Sequence, residues 1–192
     1  MELNLIFSIV WIILSLGAFI YYYYSILKWD TKPHIYTWLI FTISLGTAFI
    51  VQIQTGGGYG SYVTLMEFFG CFIAFILGLK YGEKNITRFD TLCFILALIA
   101  LLLYLNFRLA VVSTILIILV DLLAIIPTYR KSFLKPHEET IVIYIMSAWV
   151  YIFSIAWLTQ YSFTTYGYAL SIVLADILFV AYVLWRRKQL QK

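Results

Sequence analysis

Charged residues are scarce in this chain of 192 residues, since Asp, Glu, Lys and Arg make up 11% of it while 64% is hydrophobic. So little polar surface cannot cover a water-soluble globule of this length. Regular alternation of apolar and polar residues is also missing from the apolar runs, which argues against a transmembrane β-barrel. The composition therefore predicts an all-α integral membrane protein.

Cysteines and catalytic motifs are equally sparse. Cys71 and Cys93 lie in apolar stretches without CxxC or Cys-His spacing, so neither a metal site nor a disulfide is indicated. Phosphate-binding loops, nucleophile elbows, HExxH and protein-kinase motifs are absent from the sequence. We therefore expect no enzyme activity, no catalytic residues, no metal and no cofactor. The net charge of +4 resides in the loops and gives no reason to expect a nucleic-acid partner.

Apolar stretches of a length that crosses a bilayer recur along the chain. They cover residues 4–24, 36–52, 61–79, 92–107, 109–126, 140–159 and 166–185. If the N-terminus lies outside, every Lys and Arg except Arg108 falls on the cytoplasmic side, as the positive-inside rule requires. The first stretch lacks a basic leader and a cleavage site, so we interpret it as a retained helix. The sequence thus predicts seven transmembrane helices with a cytoplasmic C-terminus.

Weak internal similarity divides the chain into two parts. Residues 25–28 (SILK) match residues 132–135 (SFLK), and the Lys-Pro-His of 32–34 recurs at 135–137. Uncharged loops containing Tyr-Gly precede both the third and the seventh stretch. Because an odd number of helices separates the copies, the two units are parallel, an arrangement known in transporters. We expect a three-helix unit at 1–82, a linker helix at 83–107 and a second three-helix unit at 108–192.

This three-one-three pattern, together with IIPTYRKSF and its Pro127, Thr128 and Lys131, resembles the SWEET and PQ-loop superfamily. The resemblance implies that the third helix of each unit supplies polar contacts to a solute. It also implies that the second and sixth helices form further walls, with an aromatic ring stacking on the solute. Ile20 occupies the position in the first unit that corresponds to Pro127, so the paired proline hinge of that family is present only once.

Two blocks, KYGEKNITRFD and DLLAIIPTYRKSFLKPHEET, are also similar to small bacterial integral membrane proteins. This second resemblance implies a location in the bacterial inner membrane.

Three carboxylic acids interrupt the apolar stretches, namely Glu67, Asp121 and Asp176, and no Lys, Arg or His lies within a stretch. An ionisable group at membrane depth costs about 2.5 to 3.5 kcal/mol on insertion scales and normally faces the bundle interior. Each acid must be protonated, hydrogen-bonded, hydrated or paired with a cationic ligand. We predict proton coupling by Asp121 and Glu67, and the resemblance implies solute contacts for Glu67 and Asp176. The alternative is a protonated acid bonded to a helix carbonyl.

Small residues share the helical face of Glu67, at Gly70, Cys71, Ala74 and Gly78. Such a stripe lets a second helix approach closely. It could equally leave room for a solute beside the carboxylate, and the sequence leaves both readings open.

Aromatic and amide residues supply the remaining site candidates. The resemblance makes Trp157 of the sixth stretch and Gln52 of the second candidates for the walls of the solute site. We expect Trp38, Trp185 and the tyrosines at 21–24 to lie in the interfacial aromatic belt, since all are near the ends of stretches.

Pro127 and two histidines have two interpretations each. Pro127 either hinges a cytoplasmic gate or ends the fifth helix, and the basic residues that follow at once favour the end of the helix. His34 and His137 each follow a proline and could sense pH, but a polar loop position is the favoured interpretation for both.

The predicted function is a secondary transporter of a small polar or cationic solute that moves by alternating access between the two units. Carboxylates without intramembrane cations argue against an anionic solute. The alternatives are a seven-helix receptor or sensor and a scaffold subunit; a retinal receptor is disfavoured because the last stretch has no lysine. The expected partners are the lipid bilayer and the solute, and the sequence leaves a homo-oligomer open.

The repeat predicts that Lys32 and Lys135 lie on the same side of the membrane. In a background with Cys71→Ser and Cys93→Ser, the Lys32→Cys and Lys135→Cys variants should react with an impermeant thiol reagent from the same side. Arg108→Cys should react from the opposite side. Labelling of the two lysine positions from opposite faces would contradict the repeat.

Overall fold

The computed structural model describes residues 2–54, 60–106, 109–156 and 161–191, and within them the chain is helical without a β-strand. Its near-continuous apolar runs favour helices because a helix satisfies its own backbone hydrogen bonds in hydrocarbon. A short 3₁₀ turn at Pro136–Glu138 precedes the sixth helix. The α-helices are α1 (Glu2–Leu27), α2 (Ile35–Gln54), α3 (Gly60–Tyr81), α4 (Arg88–Asn106), α5 (Ala110–Leu134), α6 (Val142–Ala156) and α7 (Phe163–Leu190).

Four of the described helices have the length of membrane spans, and the outward faces of the bundle are apolar. In the described part of the chain four segments are long and apolar enough to cross a bilayer: Thr64–Tyr81, Arg88–Asn106, Val111–Leu134 and Tyr166–Leu190. Shorter apolar segments occupy α1, α2 and α6. The outward faces carry large apolar side chains, with Ile20 63%, Leu102 60% and Leu178 63% exposed. Polar side chains such as Ser44 and Asp121 are instead buried. This is the distribution of a helical membrane protein.

Six helices form a closed ring of contacts. Helix α3 packs between α1 and α2, and α7 packs between α5 and α6. The ring closes because α1 contacts α6 and α2 contacts α5. Helix α4 lies against α5 and α2 on the outside. The order of packing is therefore the same in the first three helices and in the last three.

The small residues of α3 are a packing surface. A Cβ atom at Gly70 would lie 2.3 Å from the ring of Phe19 on α1, so a larger residue there would force this ring to move. The Tyr23 hydroxyl donates to the Gly70 carbonyl at 2.7 Å. At the end of α3, a Cβ at Gly82 would lie 2.5 Å from the Pro33 carbonyl oxygen. This close approach lets the Glu83 N–H donate to the same oxygen.

The loops after α1, α3 and α5 meet the end of α7 at one end of the bundle, which we call the basic end. Its centre is Lys131 of α5, whose side chain is only 1% exposed. The Lys131 ammonium pairs with the carboxylate of Glu139 and donates to the carbonyls of Lys32, at 2.7 Å, and Glu138, at 3.0 Å. Its three N–H donors therefore all have acceptors, and the charge is compensated.

Further ion pairs surround this lysine. Arg187 donates to the carbonyls of Pro136 and Glu139. The other pairs are Lys32 with Glu138, Arg130 with Asp90 and Lys135 with Glu83. Burial would raise the pKa of Glu83, but the hydrogen bonds from Lys135 and from the Asn85 N–H outweigh burial and lower it. The loops are thus a packed polar layer that joins the two halves of the chain.

His34 lies in the loop between α1 and α2, as the favoured interpretation predicted, but it is buried inside this layer. It is fully buried, and its Nε2 lies 3.6 Å from Asp90 Oδ2, beyond normal hydrogen-bonding distance. Burial lowers the pKa of His34 to about 4, although the Asp90 carboxylate acts in the opposite direction. Lys131 and Arg130 add to the lowering. His137, at the matching position of the other loop, is exposed.

Pro127 lies inside α5, which continues to Leu134, so the favoured interpretation that it ends the helix is wrong. A proline has no N–H and leaves the carbonyl one turn earlier without its helical partner. The neighbouring Ala124 carbonyl accepts a hydrogen bond from Thr37 of α2 at 2.6 Å, and the Thr37 hydroxyl also lies 2.9 Å from that of Thr128. This contact with α2 stabilises the interrupted part of α5. The hinge remains a prediction.

Lys131→Met should lower the free energy of unfolding by about 3 to 5 kcal/mol, because it leaves Glu139 buried without its cation. The double variant Lys131→Met/Glu139→Met should recover much of this loss, since no charge is then left unpaired. Lys188→Met, at an exposed position of α7, is the control. Thermal unfolding in detergent measures all three. Equal melting temperatures for Lys131→Met and Lys188→Met would contradict the buried pair.

Stability should fall as the pH decreases from about 6.5 to about 4, because unfolded His34 takes up a proton at its ordinary value of 6.5 and the folded residue does so only at about 4. At roughly 1.4 kcal/mol per pKa unit, the free energy of unfolding should decrease by about 3 kcal/mol over this pH range. The His34→Gln variant should show a flatter dependence of melting temperature on pH over this window. His137→Gln should keep the wild-type slope, and parallel curves for wild type and His34→Gln would refute the assignment.

Candidate functional site

A cavity of about 100 Å³ lies within the ring. Every helix of the ring contributes to its wall, whereas the described part of α4 does not. Since water occupies about 30 Å³ per molecule in the liquid, this space holds roughly three water-sized groups. The wall consists of Phe19, Trp38, Phe41, Ser44, Leu45, Glu67, Cys71, Asp121, Ile143, Tyr144, Ser147, Tyr151, Tyr168, Ile172 and Asp176.

The three acids of the apolar stretches all line this cavity. Glu67 comes from α3, Asp121 from α5 and Asp176 from α7. Asp121 and Asp176 are 9% and 6% exposed. The sequence predicted that each acid would face the interior but could not show that they face the same space. Three helices thus bring three carboxyl groups to one cavity of small volume.

Each acid accepts a hydrogen bond from a hydroxyl group. Ser15 of α1 donates to Glu67 Oε1 at 2.6 Å, and Tyr168 of α7 donates to Asp121 Oδ2 at 2.8 Å. The Ser147 hydroxyl of α6 hydrogen bonds to the Asp176 side chain. These partners are hydroxyls, whereas the purely structural alternative predicted helix carbonyls. A hydroxyl group is therefore directed at each of the three acids.

Polar atoms of the wall remain without a partner among the described residues. They are Asp121 Oδ1, Asp176 Oδ2 and Ser44 Oγ, the last on a side chain that is 3% exposed. The described lining residues include no Lys, Arg or His. A buried ionised carboxylate without a counter-ion is strongly unfavourable. The cavity must therefore hold protons on the acids or a cation beside them.

Trp38 belongs to the cavity wall, so its assignment to the interfacial belt is wrong. It is 4% exposed, and its ring centroid lies 4.9 Å from that of Tyr22. Trp38, Phe41 and Leu45 recur at helical spacing and form the inward face of α2. Trp185 is about half exposed, as a residue facing lipid would be.

The remaining predicted wall residues are not placed by the structure. Trp157 lies outside the described residues, and so does the side chain of Gln52. Helix α6 instead contributes Tyr144, Ser147 and Tyr151, which lie three and four residues apart on one face.

Several hydroxyl residues of the site were not predicted from the sequence. Ser15, Ser44, Ser147 and Tyr168 carry no charge, and such residues are common in apolar helices. One signal could have found Tyr168, since it lies eight residues before Asp176 and therefore on the same helical face. Ser15 and Ser44 offer no comparable signal, because their relation to the acids arises between helices.

The wall does not resemble a metal centre. Within the described residues there is no group of three His, Cys, Asp or Glu side chains that could hold a metal ion. Cys71, which lines the cavity, and Cys93 are both buried free thiols.

Comparisons of the chain with protein-family models, with curated proteins and with solved structures found no match.

Proposed function

We propose that the chain is a secondary transporter of a small polar or cationic solute, and that the cavity within the ring is its solute site. The observation that carries this proposal is the convergence of Glu67, Asp121 and Asp176 on one cavity without a cationic side chain among its described wall residues. A scaffold subunit has no need of such costly groups in its interior. A receptor remains the runner-up, since it too would need a ligand cavity.

The packing order supports the division into parallel units at 1–82 and 108–192 with a linker helix between them. The third helix of each half lies between the other two. The ends of these third helices also make matching contacts, because Glu83 N–H donates to the Pro33 carbonyl and Arg187 Nε donates to the Pro136 carbonyl. Transporters built from parallel repeats hold their solute between the repeats, near the bilayer midplane. The SWEET and PQ-loop resemblance leads to the same expectation.

In this proposal the structure is a conformation of the transporter that is closed at the basic end. Helices α1 and α7 both run from the cavity towards that end, and Tyr22 and Phe179 lie one turn beyond the cavity residues Phe19 and Asp176. Tyr22 and Phe179 are fully buried, as are Ile26 and Val183 in the next turn. The ion pairs around Lys131 form the last layer before the solvent.

Opening this end would separate contacts that join the two units. The ammonium of Lys131 in the second unit donates to the Lys32 carbonyl in the first, and Lys32 pairs with Glu138. Pro127 lies one turn before Lys131 on α5, so a bend there would move this lysine. By the positive-inside rule the basic end faces the cytoplasm, and we propose a bacterial inner membrane as the location.

Proton coupling follows from competition for the same acids. A carboxyl group in this cavity is stable when protonated or when paired with a cationic solute. Arrival of the solute releases the proton, and departure of the solute takes a proton up. We assign this role to Asp121 and Glu67, and solute contact to Asp176 and Glu67.

Transport should depend on each acid. In liposomes that enclose a pH-sensitive dye, solutes that drive a proton flux can be identified from a panel of amines, sugars and amides. Asp121→Asn, Asp176→Asn and Glu67→Gln should each lower the solute-driven flux roughly tenfold or more, because each removes a carboxyl group that carries the coupled proton or contacts the solute. Asp30→Asn, at an exposed carboxylate of the basic end, should leave the flux unchanged. Wild-type flux in all three cavity variants would refute the coupling.

A further inference from the structure

We infer that the cavity binds a compact primary ammonium ion, that is, a protonated alkylamine of a few heavy atoms. This inference rests on the proposed function of the cavity as a solute site and names the chemical class of the solute.

The first argument is the balance of donors and acceptors in the wall. Ser15, Tyr168 and Ser147 each donate to one acid, so these hydroxyls are already used as donors. The unpartnered buried atoms of the described wall residues are two carboxylate oxygens, Asp121 Oδ1 and Asp176 Oδ2, together with the buried Ser44 Oγ. The complementary ligand therefore donates hydrogen bonds and needs to accept few. An ammonium group has three N–H donors and no acceptor.

The second argument is charge. The acids have no cationic partner in the described wall, so a positively charged ligand satisfies them and an anion would be repelled. A neutral polyol would bring acceptors that find few free donors. The aromatic side chains of Trp38, Tyr144 and Tyr151 complete the wall, and aromatic faces attract cations.

The third argument is size. A cavity of about 100 Å³ is well below the 300 to 1,000 Å³ typical of sites for drug-sized ligands. This volume suits an ammonium group with a short alkyl chain better than it suits a long-chain amine or a sugar. A bare metal ion is also disfavoured, because the described acids do not form a group that could coordinate one.

The test is a binding measurement on the purified full chain in detergent, with ethylammonium chloride as the probe. Thermal unfolding and calorimetric titration should show saturable binding that raises the melting temperature. The melting temperature should not rise with three control compounds. These are sodium chloride at equal ionic strength, ethanol as the neutral analogue and sodium acetate as the anion. Hexylammonium should bind about tenfold more weakly than ethylammonium or worse. Its longer chain meets the cavity wall, and a steric cost of about 1.4 kcal/mol already lowers the affinity tenfold.

Three variants, one control variant and the pH dependence test these contacts. Asp121→Asn and Asp176→Asn should each weaken ethylammonium binding roughly tenfold or more, since each removes a charged acceptor. Ser44→Ala should weaken it by a few-fold, as expected for a neutral hydrogen bond. Asp30→Asn should bind as the wild type does. Affinity in the wild type should also fall as the pH decreases, because protons compete for the same acids.

Three results would overturn the inference. Ethylammonium would raise the melting temperature no more than sodium does, hexylammonium would bind as well as ethylammonium, or both aspartate variants would keep the wild-type affinity. Should the variants fail to fold, the probe series on the wild type decides alone.

Failure of this inference is distinguishable from failure of the proposed function. Amine binding without any solute-driven flux in liposomes would reject transport and keep the ammonium site. Uptake of a sugar or an anion without amine binding would reject the ammonium site and keep transport.

Discussion

The structure depends on one constraint, which is that polar groups placed among apolar helices must be satisfied from within the chain. Water does not solvate a carboxylate or a lysine in such surroundings, and an unpaired charge there has a large cost in free energy. The molecule meets this constraint in two different ways at two levels of the bundle. At the basic end it uses charge pairs, and in the central cavity it uses hydroxyl groups.

The contrast between these two levels is the main functional observation. Lys131 at the basic end has an acceptor for each of its N–H donors, and one of these is the carboxylate of Glu139. Asp121 and Asp176 in the cavity each have one hydroxyl donor and one oxygen without a partner among the described residues. A fully compensated charge serves the fold. An incompletely compensated acid that lines a cavity can bind a proton or a cation, and this difference is why we propose that the function lies in the cavity.

The two halves of the chain share a packing order but differ in detail. Each third helix lies between its two neighbours, and each end of a third helix donates to a loop proline carbonyl. Yet His34 is buried against Asp90 while His137 is exposed, and Pro127 has Ile20 as its counterpart. The matching loops and helices of the two halves therefore have different surroundings, and helix α4, which contacts α2 and α5, has no counterpart among the described helices in this arrangement.

Local chemistry in the sequence determined the class of protein, the apolar helices and the inward direction of the three acids. Hydrophobicity and the cost of a buried charge act residue by residue, so both can be read without knowing any neighbour. Only the tertiary structure decided that the acids share one cavity and that Trp38 faces it. The burial of His34 and the continuation of α5 past Pro127 also depend on contacts between elements distant in sequence. Those contacts form when helix faces meet, and a single helical pattern does not specify which face meets which neighbour.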